Sequence, residues 1–173
     1  MTEPKQVEGN PANGPDPIAR LIQKDEITSY LYKLCLLLDE FEIEKFVEEF
    51  TDDGTYKLIP RENYAKNLPV AIIDDNKDRL IYRSGLILRH WQYEKFRENR
   101  LLSNIQFEFP SVDESRTTST IAIYQTNEEG ATAFHLTGVL MDTIVRRDGR
   151  WRIKDRLAIL DTFLPTETLV LPP

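Results

Sequence analysis

The stretch from Leu36 to Asn63, LLLDEFEIEKFVEEFTDDGTYKLIPREN, constrains this chain most. It holds a helix end, a second short helix, a stop and a first strand in quick succession. Ile43, Phe46, Val47 and Phe50 recur at i, i+3, i+4 and i+7, which lays one apolar stripe along a helix. Glu42, Glu44, Lys45, Glu48 and Glu49 fall on the other side. Thr51-Asp52-Asp53-Gly54 is expected to stop that helix, with Gly54 at a left-handed cap because it has no Cβ to clash. Tyr56, Leu58 and Pro60 then alternate with Thr55, Lys57 and Ile59, which predicts a strand entered directly from the helix. Such a hinge folds a helical layer back over a sheet.

On either side of the hinge the chain changes character. Residues 1–16 are rich in Pro, Gly and Asn and nearly lack large apolar residues, which predicts a disordered or loosely docked arm. Residues 17–173 are expected to form a single domain, since 173 residues suffice for one substantial core and not for two. Asp16-Pro17 offers a helix start, Asp as N-cap and Pro in the first turn. Ile18, Leu21 and Ile22 open an apolar stripe that Ile27, Tyr30, Leu31, Leu34, Leu37 and Leu38 continue after a phase slip near Asp25. A first helix over 17–40 follows from this. Arg61 to Pro69 reads as a polar loop, Val70 to Ile73 as a short edge strand, and Asp74 to Trp91 as a third helix.

Beyond Leu101 the pattern is β. Leu101 to Phe109, Thr117 to Thr126, Ala131 to Arg147 and Trp151 to Asp161 are strand runs, and Glu128-Glu129-Gly130 and Asp148-Gly149 are hairpin turn signals. About three helices followed by a meander of long strands is an α+β layout. Both faces of the long strands carry apolar residues, so one face needs the helices and the other a partner. A net charge of −7 argues against nucleic acid or an anionic membrane as partner. The single cysteine, Cys35, cannot form an intrachain disulfide, and no run of about 18 apolar residues or secretory leader is read, so the expected compartment is the cytoplasm.

Candidate chemistry is sparse. A Rieske-type cluster needs two Cys and two His, and this chain has one Cys and two His, His90 and His135. A mononuclear iron site needs two His and a carboxylate, which His90 and His135 could supply only with Asp142 or Asp161 from separate elements. Their structural reading is a helix-capping His90 and a hydrogen-bonded strand His135. No G-x-S-x-G, P-loop or G-x-G-x-x-G occurs. Cys35 sits on an apolar helical stripe and reads as core. In the last strand Trp151, Ile153, Leu157 and Ile159 are assigned to one face with Asp155 and Asp161, and Arg152, Lys154, Arg156, Ala158 and Leu160 to the other. Asp142 lies in line with Leu140 and Ile144, where it could be a base of raised pKa or half of an Asp–Arg pair stitching strands. The residues thus nominate no catalytic, cofactor-binding or metal-binding side chain.

Leu37-Leu38-Asp39, then Phe50, Asp53, Tyr56 and Pro60-Arg61-Glu62-Asn63, resemble the small (β) subunit of aromatic-ring-hydroxylating Rieske non-haem iron dioxygenases. The resemblance resumes at Asp74 to Arg83, at Ser103-Asn104-Ile105 before the expected sheet, and at Arg146 to Asp161. The tail from Thr168 to Pro172 is similar to subunits of oxygenases acting on aromatic acids such as terephthalate and salicylate. The chain departs from that pattern in having Phe46 for a Trp and Arg100-Leu101-Leu102 for an Arg-His pair.

The resemblance implies a cystatin-like cone of the nuclear-transport-factor and scytalone-dehydratase superfamily, a curved antiparallel sheet packed on about three helices. It implies a structural subunit that supports iron-bearing α subunits in a hetero-hexamer, self-associates as a trimer, and takes part in catabolism of a benzoate-like acid. The 2Fe-2S cluster and the mononuclear Fe(II) would both lie in the α subunit. The rival reading is a stand-alone dehydratase, isomerase or cyclase of the same fold, drawing its base and neighbours from Tyr30, Tyr56, His90, His135 and Asp142. A third is a ligand-binding module with a dry pocket.

Overall fold

The computed structural model describes residues 16–161 and 169–173. The expected arm, apart from Asp16, lies outside the described residues, as does Thr168 of the tail motif. The elements are α1 (Pro17–Asp39), α2 (Ile43–Glu48), β1 (Phe50–Pro60), α3 (Arg61–Ala65), β2 (Ile73–Asn76), α4 (Lys77–Arg89), β3 (Phe96–Ser111), β4 (Glu114–Asn127), β5 (Thr132–Arg147) and β6 (Arg150–Leu160). One six-stranded sheet runs in the order β2-β1-β6-β5-β4-β3. Strands β3 to β6 form the expected antiparallel meander. The sheet as a whole is mixed, because β1 runs parallel to β6. That pairing joins the first strand to the last, and the intervening helices and meander are the long crossover that parallel neighbours require.

Helix α1 starts as the sequence predicts, with the Asp16 carboxylate accepting from the Ile18 N–H at 3.0 Å. Its buried stripe begins only at Ile27 and continues through Tyr30, Leu31, Leu34, Cys35 and Leu38. Ile18, Leu21 and Ile22, expected to open that stripe, are exposed. In α2 the expected stripe holds: Ile43, Phe46 and Val47 are buried, as is Phe50 just beyond it. The Phe46, Phe50 and Tyr56 rings then meet edge to face along the hinge.

Gly54 does not cap α2. The helix ends at Glu48, β1 begins at Phe50, and Gly54 lies inside that strand without a left-handed φ. It sits where the β1–β6 register shifts between Phe50 and Thr55. A Cβ there would meet the Thr51 carbonyl oxygen at 2.9 Å, so glycine is needed for close approach at a bulge. Arg61 to Ala65, read as loop, is the one-turn-and-a-half helix α3. The edge strand falls at Ile73–Asn76 and not at Val70 to Ile73, and α4 starts only after it. There the Asn76 side chain accepts from the Arg79 N–H at 3.0 Å and fixes the helix start.

Bulges decide which side chains point into the cone. On β6 the pairing with β5 slips between Thr143 and Ile144, so Lys154 is skipped. Trp151 and Ile153 face the helices, and past the bulge Arg156, Ala158 and Leu160 do, while Leu157 and Ile159 turn outward. The uninterrupted face predicted for Trp151, Ile153, Leu157 and Ile159 is therefore wrong beyond Ile153. A second bulge explains Ser103-Asn104-Ile105, which lies within β3 and not before the sheet. Asn104 takes φ 52°, a conformation Asn tolerates, and the inward set changes from Glu98, Arg100 and Leu102 to Ile105 and Phe107. The two hairpin signals hold, with Gly130 at φ 84° and Asp148-Gly149 at 50° and 73°. No helix among the described residues is long and apolar enough to cross a membrane.

Gly138, on the inner face of β5 opposite Leu160, has the Ile159 carbonyl against the space a Cβ would need. Gly138→Ala is expected to lower stability by about 1–3 kcal/mol, the usual range for overpacking against an unyielding neighbour, with the secondary structure intact. Urea unfolding followed by circular dichroism reads it.

Candidate functional site

The bulge at Lys154 creates a polar row across the interior of the cone. Register places Thr117 of β4 beside Asp142 of β5, Asp142 beside Arg156 of β6, Arg156 beside Tyr56 of β1, and Tyr56 beside Asp75 of β2. All five are buried. Asp142 and Arg156 form a bidentate pair, with Nε donating to Oδ1 at 2.7 Å and Nη2 donating to Oδ2 at 3.0 Å. Burial disfavours the guanidinium charge, but the facing Asp142 carboxylate outweighs that and holds Arg156 above its ordinary value. The guanidinium also lies 5.7 Å from the Phe46 ring centroid. At the end of the row Asp75 is gripped by Arg83 at 2.7 Å and Arg79 at 3.1 Å.

Each of the two Asp142 oxygens accepts a charge-assisted bond from Arg156, so the geometry fits the reading of Asp142 as half of an Asp–Arg pair that stitches β5 to β6. The Tyr56 hydroxyl, Thr117 Oγ1, Ser119 Oγ and His135 Nε2 are buried without a protein partner among the described residues. Burial raises the Tyr56 hydroxyl well above its ordinary value. Tyr30 is raised too, by burial and then by the Glu49 carboxylate, and burial pushes the Cys35 thiol up. A raised phenol or thiol stays protonated and is a poor nucleophile. The cavity beside Tyr56, walled by Phe46, Val47, Ile73, Leu80 and Ile87, measures about 20 Å³. That is room for a single water and far short of the several hundred Å³ of an organic ligand.

His90 is the C-cap of α4 and is exposed, whereas His135 is buried on β5, expected to be hydrogen-bonded but with Nε2 unpaired. Asp155 accepts from the Thr55 hydroxyl at 2.8 Å and Asp161 pairs with Arg61, so neither joins the interior row. Among the described residues no three His, Cys, Asp or Glu side chains group as a metal site.

Sequence reasoning missed a second buried cation. Arg100 of β3, with its side chain fully buried, donates to Asp39 at 2.7 Å, to Glu98 at 2.7 Å and to the Pro172 carbonyl at 2.9 Å. It ties the end of α1 and the tail to the sheet. Glu98 and Arg100, two apart on one strand, were the available signal, since like-facing positions of opposite charge pair across one strand face. Above them a cleft of about 580 Å³ opens between Asp39, Glu98 and the mutually packed Phe41, Tyr93 and Phe96 rings. At the other end of the sheet a cleft of about 400 Å³ holds Trp151, whose Nε1 donates to Glu26 at 3.0 Å beneath the Arg146 guanidinium.

Two outcomes follow from the row. Asp142→Leu is expected to cost about 3–5 kcal/mol by leaving Arg156 charged and alone, and Asp142→Leu with Arg156→Met to recover most of it; chemical denaturation of the three proteins measures both. Alkaline stability is the other. Unfolded tyrosines ionise near about pH 10, whereas folded Tyr30 and Tyr56 hold their protons to higher pH. Their contribution is complete below pH ~10 and is lost as pH rises from there toward the folded values. Tyr56→Phe should flatten that loss in melts recorded against pH.

Residues 19–157 match the model of the SnoaL-like domain. The anthranilate 1,2-dioxygenase small subunit of Burkholderia cepacia is 31% identical over 79% of this chain and 84% of its own length. The terminal oxygenase component subunit beta 1 of terephthalate 1,2-dioxygenase from Comamonas sp. is 21% identical over 88% of this chain and 99% of its own. Among solved structures, one from Novosphingobium aromaticivorans assigned as the β subunit of an aromatic-ring-hydroxylating dioxygenase superposes with TM-score 0.77 at 26% identity, covering 90% of this chain and 99% of the other. Another from the same organism, assigned as a scytalone dehydratase, superposes at 0.69 with 18% identity over 91% and 97%, a likeness of fold alone. A curved sheet closed over helices, a family model that matches residues 19–157 and a relative at 31% identity converge: this chain belongs to the SnoaL-like family, among the small subunits of aromatic-ring-hydroxylating dioxygenases.

Proposed function

We propose that the chain is the structural β subunit of a multicomponent dioxygenase, holding iron-bearing α subunits in place during oxidation of an aromatic acid. The observation that carries this reading is the likeness to the anthranilate dioxygenase small subunit along most of both chains. The terephthalate relative supports a benzoate-like substrate, since both relatives are named for aromatic carboxylates. The interior is in keeping with a supporting role: Asp142 and Arg156 form a buried pair within it, and the cavity beside Tyr56 measures only about 20 Å³.

Both iron centres are assigned to the α subunit on this reading. A Rieske cluster needs two Cys, and this chain's one thiol, Cys35, is buried and protonated. Self-association as a trimer is part of the proposal. The outward face of the sheet carries Ala122, Val139, Met141 and Leu157 among threonines such as Thr118 and Thr120, a surface suited to burial against other subunits.

Purified alone, the chain is expected to be colourless and iron-free; co-expressed with its large subunit, it should co-purify as a complex that oxidises a benzoate-like acid. Reconstituted His135→Ala and Asp142→Asn complexes should turn over at the unmodified rate per bound iron, whatever their stability. Loss of about 10²–10⁴ in rate at full assembly and full iron would instead identify a base in this chain and overturn the structural reading.

A further inference from the structure

Helix α4 is apolar on two sides. Its inner side, through Leu80, Ser84 and Ile87, is buried against α2 and the sheet. Its outer side carries Ile81, 53% exposed, Tyr82, 70% exposed, and Leu88, 41% exposed. A helix apolar on both sides needs cover on both. Along the outer side Asp78, Tyr82, Gly85 and Arg89 follow at i, i+4, i+7 and i+11 and form one seam. A cleft of about 340 Å³ runs along it from Asp78 to His90.

The seam is complementary to its own reverse. It has an acid in the first turn, a base in the last, a large ring one turn in from one end and a glycine one turn in from the other. Laid antiparallel on itself about an axis midway between Arg83 and Ser84, the helix sets Tyr82 over Gly85 and Asp78 against Arg89, each twice. Such a patch meets the condition of an isologous contact, in which residue i meets j and j meets i. Arg89 now lies folded over Gly85, and a Cβ at 85 would collide with its guanidinium. Among the described residues its ion pair is with Glu44 at 3.8 Å, beyond hydrogen-bond length and between two exposed side chains, so Arg89 can turn outward toward another acid at little cost.

We propose that a second copy of this chain docks on the outer face of α4 through a two-fold antiparallel contact, with Tyr82 seated on Gly85 and Asp78 paired with Arg89 across the seam. The contact is separate from the outward face of the sheet and does not depend on the dioxygenase reading.

Charge reversal tests it on the full chain by sedimentation velocity. Asp78→Arg puts two bases at each end of the seam and Arg89→Asp two acids, so each variant alone should lose the contact and show about a two-fold lower mass than the unmodified chain. Mixed in equal amounts, the two variants restore opposite charges at both ends and should return to the unmodified mass. Tyr82→Glu, which leaves both charged ends in place, should also halve the mass, and circular dichroism checks that each variant is folded. The proposal is overturned if the single reversals keep the unmodified mass, or if the mixture sediments as the sum of its parts. The second result would leave Gly85 explained by its own Arg89 and the face to a different partner.

Discussion

The pair of Asp142 with Arg156 is the interaction on which the interior depends. Removing two charges from water is costly, and their attraction compensates only when geometry is good and the remaining polar atoms are served. Here the fork of the guanidinium matches both carboxylate oxygens, at 2.7 Å and 3.0 Å. The match exists because β5 and β6 are in one particular register. A slip of one residue would carry Arg156 to the outer face and leave Asp142 buried without its partner, so the pair penalises every wrong pairing of these strands far more than an apolar contact could.

The bulge at Lys154 sets that register, and its consequences spread across the sheet. It turns Arg156 inward, and the parallel neighbour β1 then brings Tyr56 alongside, so that β4, β5, β6, β1 and β2 each contribute one polar residue to a single row. The row crosses the sheet at the depth where Phe46 of α2 meets it. The hinge between α2 and β1 and the ion pair are thus one construction: the hinge delivers Phe46 and Tyr56, and the bulge delivers Arg156. Arg100 acts in the same manner near the far edge, where a wholly buried guanidinium gathers Asp39, Glu98 and the Pro172 carbonyl.

Much of this was legible in the residues. The stripe Ile43, Phe46, Val47 and Phe50 marked α2 because local periodicity and burial agree there. Asp16-Pro17 marked the start of α1, and Asp148-Gly149 a hairpin, because caps and tight turns depend on near neighbours alone. What was not legible required knowledge of a neighbouring strand. Alternation read straight through Lys154 gave Leu157 and Ile159 the inner face, since a bulge leaves no mark on composition. Gly54 resembled a helix cap, and its real reason, the Thr51 carbonyl at 2.9 Å from a would-be Cβ, belongs to the bulged backbone of β1. Ile18, Leu21 and Ile22 kept helical spacing yet overhang the core.

Asp142 shows why motif-free sites resist reading from sequence. Between Leu140 and Ile144 it fits both a base of raised pKa and one arm of an ion pair, and the two differ only in what stands opposite. Register answers with Arg156, and the answer reverses the chemistry. A carboxylate alone among apolar groups is pushed toward protonation and can shuttle a proton, whereas one that meets a guanidinium at both oxygens is half of an ion pair. In this chain the cation stands at the centre of the row, where Arg156 and Asp142 close on each other, while Tyr56, Thr117, Ser119 and His135 keep buried polar atoms without a partner among the described residues.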